Sequence, residues 1–342
     1  MGHKMMTIQE IEAACENAQP ISLGDNAFSR MEFPLKKRLY PLGFPLDLST
    51  NSEEVLNVAV ESWGEFKALF QIPPIRIQAG VIGGDSMECP PAPVVRVHQH
   101  LFSFIADQEN FGMIDMAHGF SCMWLTNGAV RHREYLRHFF LECAVVCPIA
   151  TRYTTGVHAA CVSLNGAGVL LCGDSGAGKS TLAYACAKAG WTYITDDGSY
   201  MVHGRDDLLV TGNCHQVRFR SSAASIFPEI EGRDITQRAG VGKPSIELRP
   251  ASLPGIRSCQ TANIRYVVFL NRREKEDQQL RPYSKEVVRH FLRQGRFAPM
   301  EVMPLHFAMI DRLLELDVHE LRYQDVDWAV EQLTKMVETG RP

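Results

Sequence analysis

The chain lacks any long apolar run. Nothing in it approaches the roughly 18 to 20 consecutive apolar residues that a membrane-spanning helix requires, and Met1-Gly2-His3-Lys4 is not followed by the apolar core of a secretion signal. The sequence therefore predicts a soluble, cytoplasmic protein without a membrane partner. A surplus of charge is missing too: 35 Lys and Arg stand against 39 Asp and Glu, a formal net charge of −4. That balance excludes general binding to nucleic acid or other polyanions. Cysteines are present, 10 of them, but no two form a C-x-x-C pair, which removes the usual signature of a zinc ribbon or a redox dithiol. They read as small buried hydrophobes in a reducing compartment, Cys143 and Cys147 on one helix face included. Internal repeats and low-complexity tracts are absent as well. The 342 residues are expected to build ordinary cores, two domains being the default at this length.

What the chain does have is Gly173-Asp174-Ser175-Gly176-Ala177-Gly178-Lys179-Ser180-Thr181, in which Gly173, Gly178, Lys179 and Ser180 match G-x-x-x-x-G-K-[ST]. An apolar run from Gly168 to Cys172 leads in as a strand, and Thr181 to Lys188, rich in helix formers, leads out to Gly190. Glycines let successive N–H groups turn inward onto phosphate oxygens, and the helix N-terminus adds roughly half a positive charge. Lys179 then supplies a mobile cation for the β and γ phosphates, and Ser180 a hydroxyl for Mg²⁺. The expected ligands are ATP and Mg²⁺, against the plainer reading of a glycine-rich turn before a structural helix.

Next, Trp191 to Thr195 alternates like a short strand and delivers Asp196 and Asp197 at its C-terminal end. One carboxylate there can hold Mg²⁺ while its neighbour points the other way along the pleat. Alone, the pair would read as a solvated hairpin turn; after a phosphate loop it reads as the second half of a site.

His158 in Gly156-Val157-His158-Ala159-Ala160, then Gly166 to Leu170, the glycine loop, and Ala189 to Asp197 follow one another in an order that resembles the catalytic core of the bacterial HPr kinase/phosphorylase family. The likeness spans about residues 152 to 202. It implies an α/β (α+β) chain with a phosphoenolpyruvate-carboxykinase-like P-loop domain on a strongly twisted mixed sheet, and transfer of a phosphoryl group from ATP to a protein serine. By the same resemblance Gly173 to Thr181 hold the triphosphate, Asp196 is the general base facing the acceptor hydroxyl, and Asp197 with Ser180 ligates metal. His158 would lie beside the aspartates, whose roles are interchangeable at this level. Thr181 departs from the pattern, standing where the family usually has Glu. Neither the family's C-terminal signature nor its N-terminal domain is found, so a diverged relative is expected. A protein, a peptide or a small molecule could carry the accepting hydroxyl. A non-catalytic, ATP-dependent sensor is the competing reading, and homo-oligomers are expected by resemblance alone.

The rest of the chain is read by periodicity. Helices are expected at Met6 to Ala18, Glu53 to Phe70, Arg131 to Val146 (ended by Pro148), Lys285 to Gln294, Met303 to Leu316, and a last one capped by Asp325 or Asp327. Proline punctuates Pro34 to Pro45 into an extended surface segment, and Val94 to Ile105 alternates as one strand. On that strand His98 and His100 share a face at a spacing a metal could use, though no third ligand is evident. The boundary between a smaller N-terminal α+β module, residues 1–150, and the ATP-binding domain, 151–342, is placed at the end of the Arg131 helix. In the second half Arg218 and Arg220 fall on one side of a strand and could neutralise a transferred phosphoryl group, or simply face solvent. A glycine-containing basic loop carries Arg238 and Lys243, either of which could close on the phosphates. The charged run Asn271 to Gln279 reads as a surface turn.

Overall fold

The structure, a computed structural model, describes residues 7–17, 31–83, 86–236, 244–272, 277–295 and 298–341. Two mixed sheets carry most of the described chain. The first has seven strands in the spatial order Leu35–Leu39, Leu46–Thr50, Ile75–Ile82, Phe120–Thr126, Phe111–Asp115, Leu101–Ile105, Val94–His98. Its middle strands run parallel, whereas the last four form an antiparallel meander. Period-2 alternation turns Leu46, Leu48, Ile75, Ile77, Phe104 and Ile114 to one side. There they join one core with Val55 of the helix Glu53–Trp63 and with Leu136, Phe140 and Val145.

Several elements differ from the sequence-based expectation. The helix from Glu53 stops at Trp63, where the Gly64 N–H closes onto the Val60 carbonyl. Val94 to Ile105 is not one strand but a hairpin, turned at Gln99 with φ 53°, so His100 sits in the turn and not on the strand of His98. The helix after Arg131 does not end at Pro148. It runs as Arg133–Tyr135, a π-helical turn Leu136–Glu142 and Cys143–Arg152, with Pro148 inside the last segment. Proline has no N–H for the carbonyl four residues back, and that carbonyl, on Ala144, accepts instead from the Ser121 hydroxyl at 3.3 Å. Leu35–Leu39 is an edge strand, and the Pro41–Gly43 turn after it is buried and not on the surface.

The second sheet has ten strands. Its centre is Thr261–Asn271, parallel to Ala167–Cys172 on one side and to Asp317–Arg322 on the other. Val169, Leu171, Val268 and Leu270 face the helices Lys179–Lys188 and Val326–Thr339 in one core. The alternate residues Leu170, Cys172, Val267 and Phe269 join Val288, Leu292 and Ile310 of the helices Lys285–Arg293 and Met303–Leu313 in another. Covering both faces is what apolar runs without alternation call for. Thr154–His158 lies at an edge, antiparallel to Gly198–Val202. The strand Asp317–Arg322 was not legible by pattern because its Glu320 is buried, 2% exposed, satisfied by Asn271 at 2.6 Å and Arg281 at 2.7 Å. Among the described residues no helix is long and apolar enough to cross a membrane.

Candidate active site

Ala167–Cys172 ends buried, and the chain must turn at once to start the helix Lys179–Lys188. It does so through Gly173, Gly176 and Gly178, with φ of 145°, 92° and 95°, values that L side chains rarely adopt. Room is short as well: a Cβ on Gly173 would meet the Leu270 carbonyl at 3.0 Å, and one on Gly178 would strike the Tyr323 hydroxyl. Tyr323, the residue after the strand Asp317–Arg322, in turn donates to the Ala177 carbonyl at 3.0 Å and pins the loop. Lys179 folds back over the loop, its Nζ donating to the carbonyls of Gly173 (2.8 Å) and Asp174 (3.1 Å). Burial pushes its ammonium below the ordinary lysine value, against the opposing pull of the Asp197 and Asp174 charges.

The two aspartates part company at a break in the sheet. The register of Thr192–Thr195 against Ala160–Leu164 slips between Tyr193 and Thr195, and such a bulge re-aims the side chains that follow. Asp196 turns inward, 6% exposed. Its Oδ1 accepts from the Tyr193 hydroxyl at 3.1 Å and its Oδ2 from the Arg218 backbone N–H at 2.9 Å. Burial raises its carboxyl above the ordinary value despite those donors. Asp197 turns outward, its side chain 60% exposed, with Oδ1 2.9 Å from His158 Nε2. That hydrogen bond outweighs burial and holds its carboxyl below the ordinary value. Both carboxylates line a cleft of about 510 Å³ with His158, Ser175, Lys179, Ser180 and Thr181. The Ser180 hydroxyl lies 3.5 Å from the Asp196 carbonyl, at the limit of a hydrogen bond.

Arginines complete the wall. Arg218 and Arg220 both reach the cleft, but the Arg218 guanidinium is tied to Gln216 at 3.1 Å and Glu247 at 3.4 Å. Its backbone N–H holds Asp196, and its charge pulls both aspartate carboxyls downward. Arg220 makes no ion pair among the described residues. Lys243 and Arg238 lie outside the described residues. Tyr323 escaped the sequence reading, and Arg272, which that reading placed in a surface turn, lines the cleft with its guanidinium 6.0 Å over the Tyr323 ring. A signal for Arg272 existed. It is the first residue beyond Thr261–Asn271, a strand parallel to the one that feeds the loop, and parallel sheets place ligands outside the carboxyl ends of their strands. His158 also lines a second hollow of about 470 Å³ beside the edge strand Thr154–His158, with Gly156, Val157, Phe291, Leu292 and His306 among others.

No protein-family model matches the chain, and no curated protein does. Among solved structures it is similar to the Hpr(Ser) kinase/phosphatase from Coxiella burnetii, at 14% identity and a TM-score of 0.29, over 54% of this chain and 95% of that one. The likeness is distant, and the chemistry of the cleft rests on its own geometry. A glycine loop at a helix N-terminus with a buried lysine can cradle phosphate, and an exposed carboxylate oriented by a histidine can meet a hydroxyl.

Proposed function

We propose that this protein is an ATP- and Mg²⁺-dependent phosphotransferase that moves the γ-phosphoryl group to a hydroxyl, most simply that of a serine, and that residues 151–342 form an HPr-kinase-like P-loop domain. The observation that carries the reading is the His158–Asp197 pair, 2.9 Å apart, opening on the same cleft as Lys179. A protein that only senses nucleotide needs the phosphate loop but has no use for an ionised carboxylate turned toward a second substrate.

The oxygens of Ser180, Asp196 and Asp197 are hard donors, which fit Mg²⁺ better than a softer metal. Ser180 and Asp196 would hold it, where it would supply charge neutralisation for the β and γ phosphates. Asp197 then remains for the acceptor, which exchanges the roles that the family resemblance gives the two aspartates. The reason is accessibility: Asp196 already accepts from Tyr193 and Arg218, whereas Asp197 is exposed and oriented by His158. Lys179 leaves the loop carbonyls for phosphate oxygens. The acceptor oxygen, entering from the hollow beside Gly156 and Phe291, bonds to the γ phosphorus as the bond to the bridging oxygen breaks. ADP keeps that electron pair, and the hydroxyl proton passes to Asp197. Little covalent chemistry falls to the protein, so positioning and electrostatics carry the acceleration.

The test is incubation of the pure protein with Mg²⁺, γ-¹⁸O-ATP and host lysate, read by mass spectrometry. We expect heavy phosphate on one hydroxyl-bearing product, absent with Lys179→Ala. Asp197→Asn should lower turnover by roughly 10²–10⁴-fold with ATP affinity largely kept. ATP bound by the wild type but never turned over would replace the kinase with the sensor.

A further inference from the structure

Away from the cleft, at one end of the seven-stranded sheet, two turns meet. The hairpin turn carries His100, and the turn between Phe111–Asp115 and Phe120–Thr126 carries His118. The register that sets Leu101 opposite Asp115 brings the two turns together, and the Met116 N–H donates to the His100 carbonyl at 2.9 Å, lacing one to the other. The Asp115 Oδ1 accepts from the His118 N–H at 3.0 Å, which leaves Oδ2 to face the His118 ring, 2.8 Å from Nδ1. The rings of His100 and His118 stand nearly perpendicular with centroids 6.2 Å apart. One potential ligand atom from each of His100, Asp115 and His118 lies within 4.8 Å of the other two.

We propose that His100, Asp115 and His118 bind one divalent transition-metal ion, Zn²⁺ by preference. Two imidazoles and a carboxylate are the donor set of three-ligand zinc sites that keep a fourth position open. Imidazole nitrogen selects against Mg²⁺, so the ion assigned to the cleft does not compete. A tetrahedral shell with Zn–N near 2.0–2.1 Å sets its ligands roughly 3.3 Å apart. The adjustment needed is a side-chain rotation, and His118, 72% exposed, is free to make it. Gln99, in the hairpin turn, holds φ 53°, a left-handed value uncommon for a non-glycine residue. His98, the partner that spacing alone suggested for His100, pairs across from Leu101 on the strand and is not in the set. Bound metal would staple the end of the edge hairpin to the rest of its sheet, with an open coordination place toward solvent.

The experiment uses the full chain stripped with EDTA, titrated with Zn²⁺ by calorimetry and with Co²⁺ by absorption, in excess Mg²⁺. Because the chain has exposed cysteines at positions 15, 89 and 259, the Co²⁺ spectrum is the deciding readout. We expect one tight equivalent, tetrahedral bands without a thiolate charge-transfer band, and a rise in melting temperature with Zn²⁺. His100→Ala and His118→Ala should each weaken binding by at least the roughly 10- to 100-fold that even supporting residues of metal sites cost, with unchanged melting in EDTA, and His98→Ala should bind like wild type. No binding, a thiolate band, or affinity indifferent to both substitutions would overturn the site; Asp115→Asn, also weaker on this proposal, covers the case in which one histidine variant fails to fold.

Discussion

Neighbouring carboxylates that differ in solvation are pushed in opposite directions, and this is the pattern that separates roles at a catalytic site. Burial lifts Asp196 above the ordinary value; the His158 hydrogen bond, the largest influence on Asp197, lowers that group. A lowered carboxyl remains ionised in the folded protein at pH values where the unfolded chain has begun to protonate. Its stabilising contribution is therefore present above the unfolded value and lost as pH falls through the lower folded one. The same sign governs catalysis. The acid limb of kcat/KM should lie below the ordinary aspartate range, and His158→Ala, which removes the hydrogen bond and leaves the burial, should move it upward. A pH–rate profile checks this, and a limb that stays in place would remove Asp197 as the base.

At the level of elements, the helix Cys143–Arg152 keeps a proline because a strand supplies what the proline cannot. Ser121→Ala would leave the buried Ala144 carbonyl without its donor, at about 1–3 kcal/mol, measured by urea unfolding. Adding Pro148→Ala should recover much of that loss, since the helix then provides its own N–H for Ala144. Failure to recover would mean that the 3.3 Å contact is incidental. The π-helical turn just before, Leu136–Glu142, carries Arg137 and Glu142 toward a separate two-stranded ribbon, Val217–Phe219 with Ile246–Leu248, where Arg137 meets Glu247 at 3.2 Å.

Across the whole molecule, that contact extends to the cleft. Arg137 pairs with Glu247, Glu247 lies 3.4 Å from Arg218, and the Arg218 N–H holds Asp196. The two sheets are joined elsewhere by the Gln260 amide, bonded to both the N–H and the carbonyl of Lys67, and by the Thr211 hydroxyl on the Leu42 carbonyl. Arg137→Ala therefore should reach the site without touching it. With coupling of about 0.5–2 kcal/mol, kcat should fall roughly 2- to 30-fold while the Kd for ATP holds. An unchanged kcat at steady state would reduce the chain of charges to a structural contact.

The strand, glycine loop and helix around Lys179 were legible because they are contiguous: strand, glycines, lysine, serine and helix succeed one another, and local backbone geometry suffices to assemble them. The helices Lys179–Lys188 and Val326–Thr339 were legible for a related reason, since period and caps are local properties. What tertiary structure alone decided is anything that depends on register. The slip between Tyr193 and Thr195 precedes an Asp196 turned inward and an Asp197 turned outward, and simple alternation cannot foresee a bulge. Cross-strand pairing with Glu247 diverts Arg218, parallel strands carry Arg272 to the cleft wall, and Leu101 opposite Asp115 brings Asp115 and His118 beside His100. Each brings together residues distant in sequence, and the free energy that fixes such pairings lies in the packed sheet and not in the segments themselves.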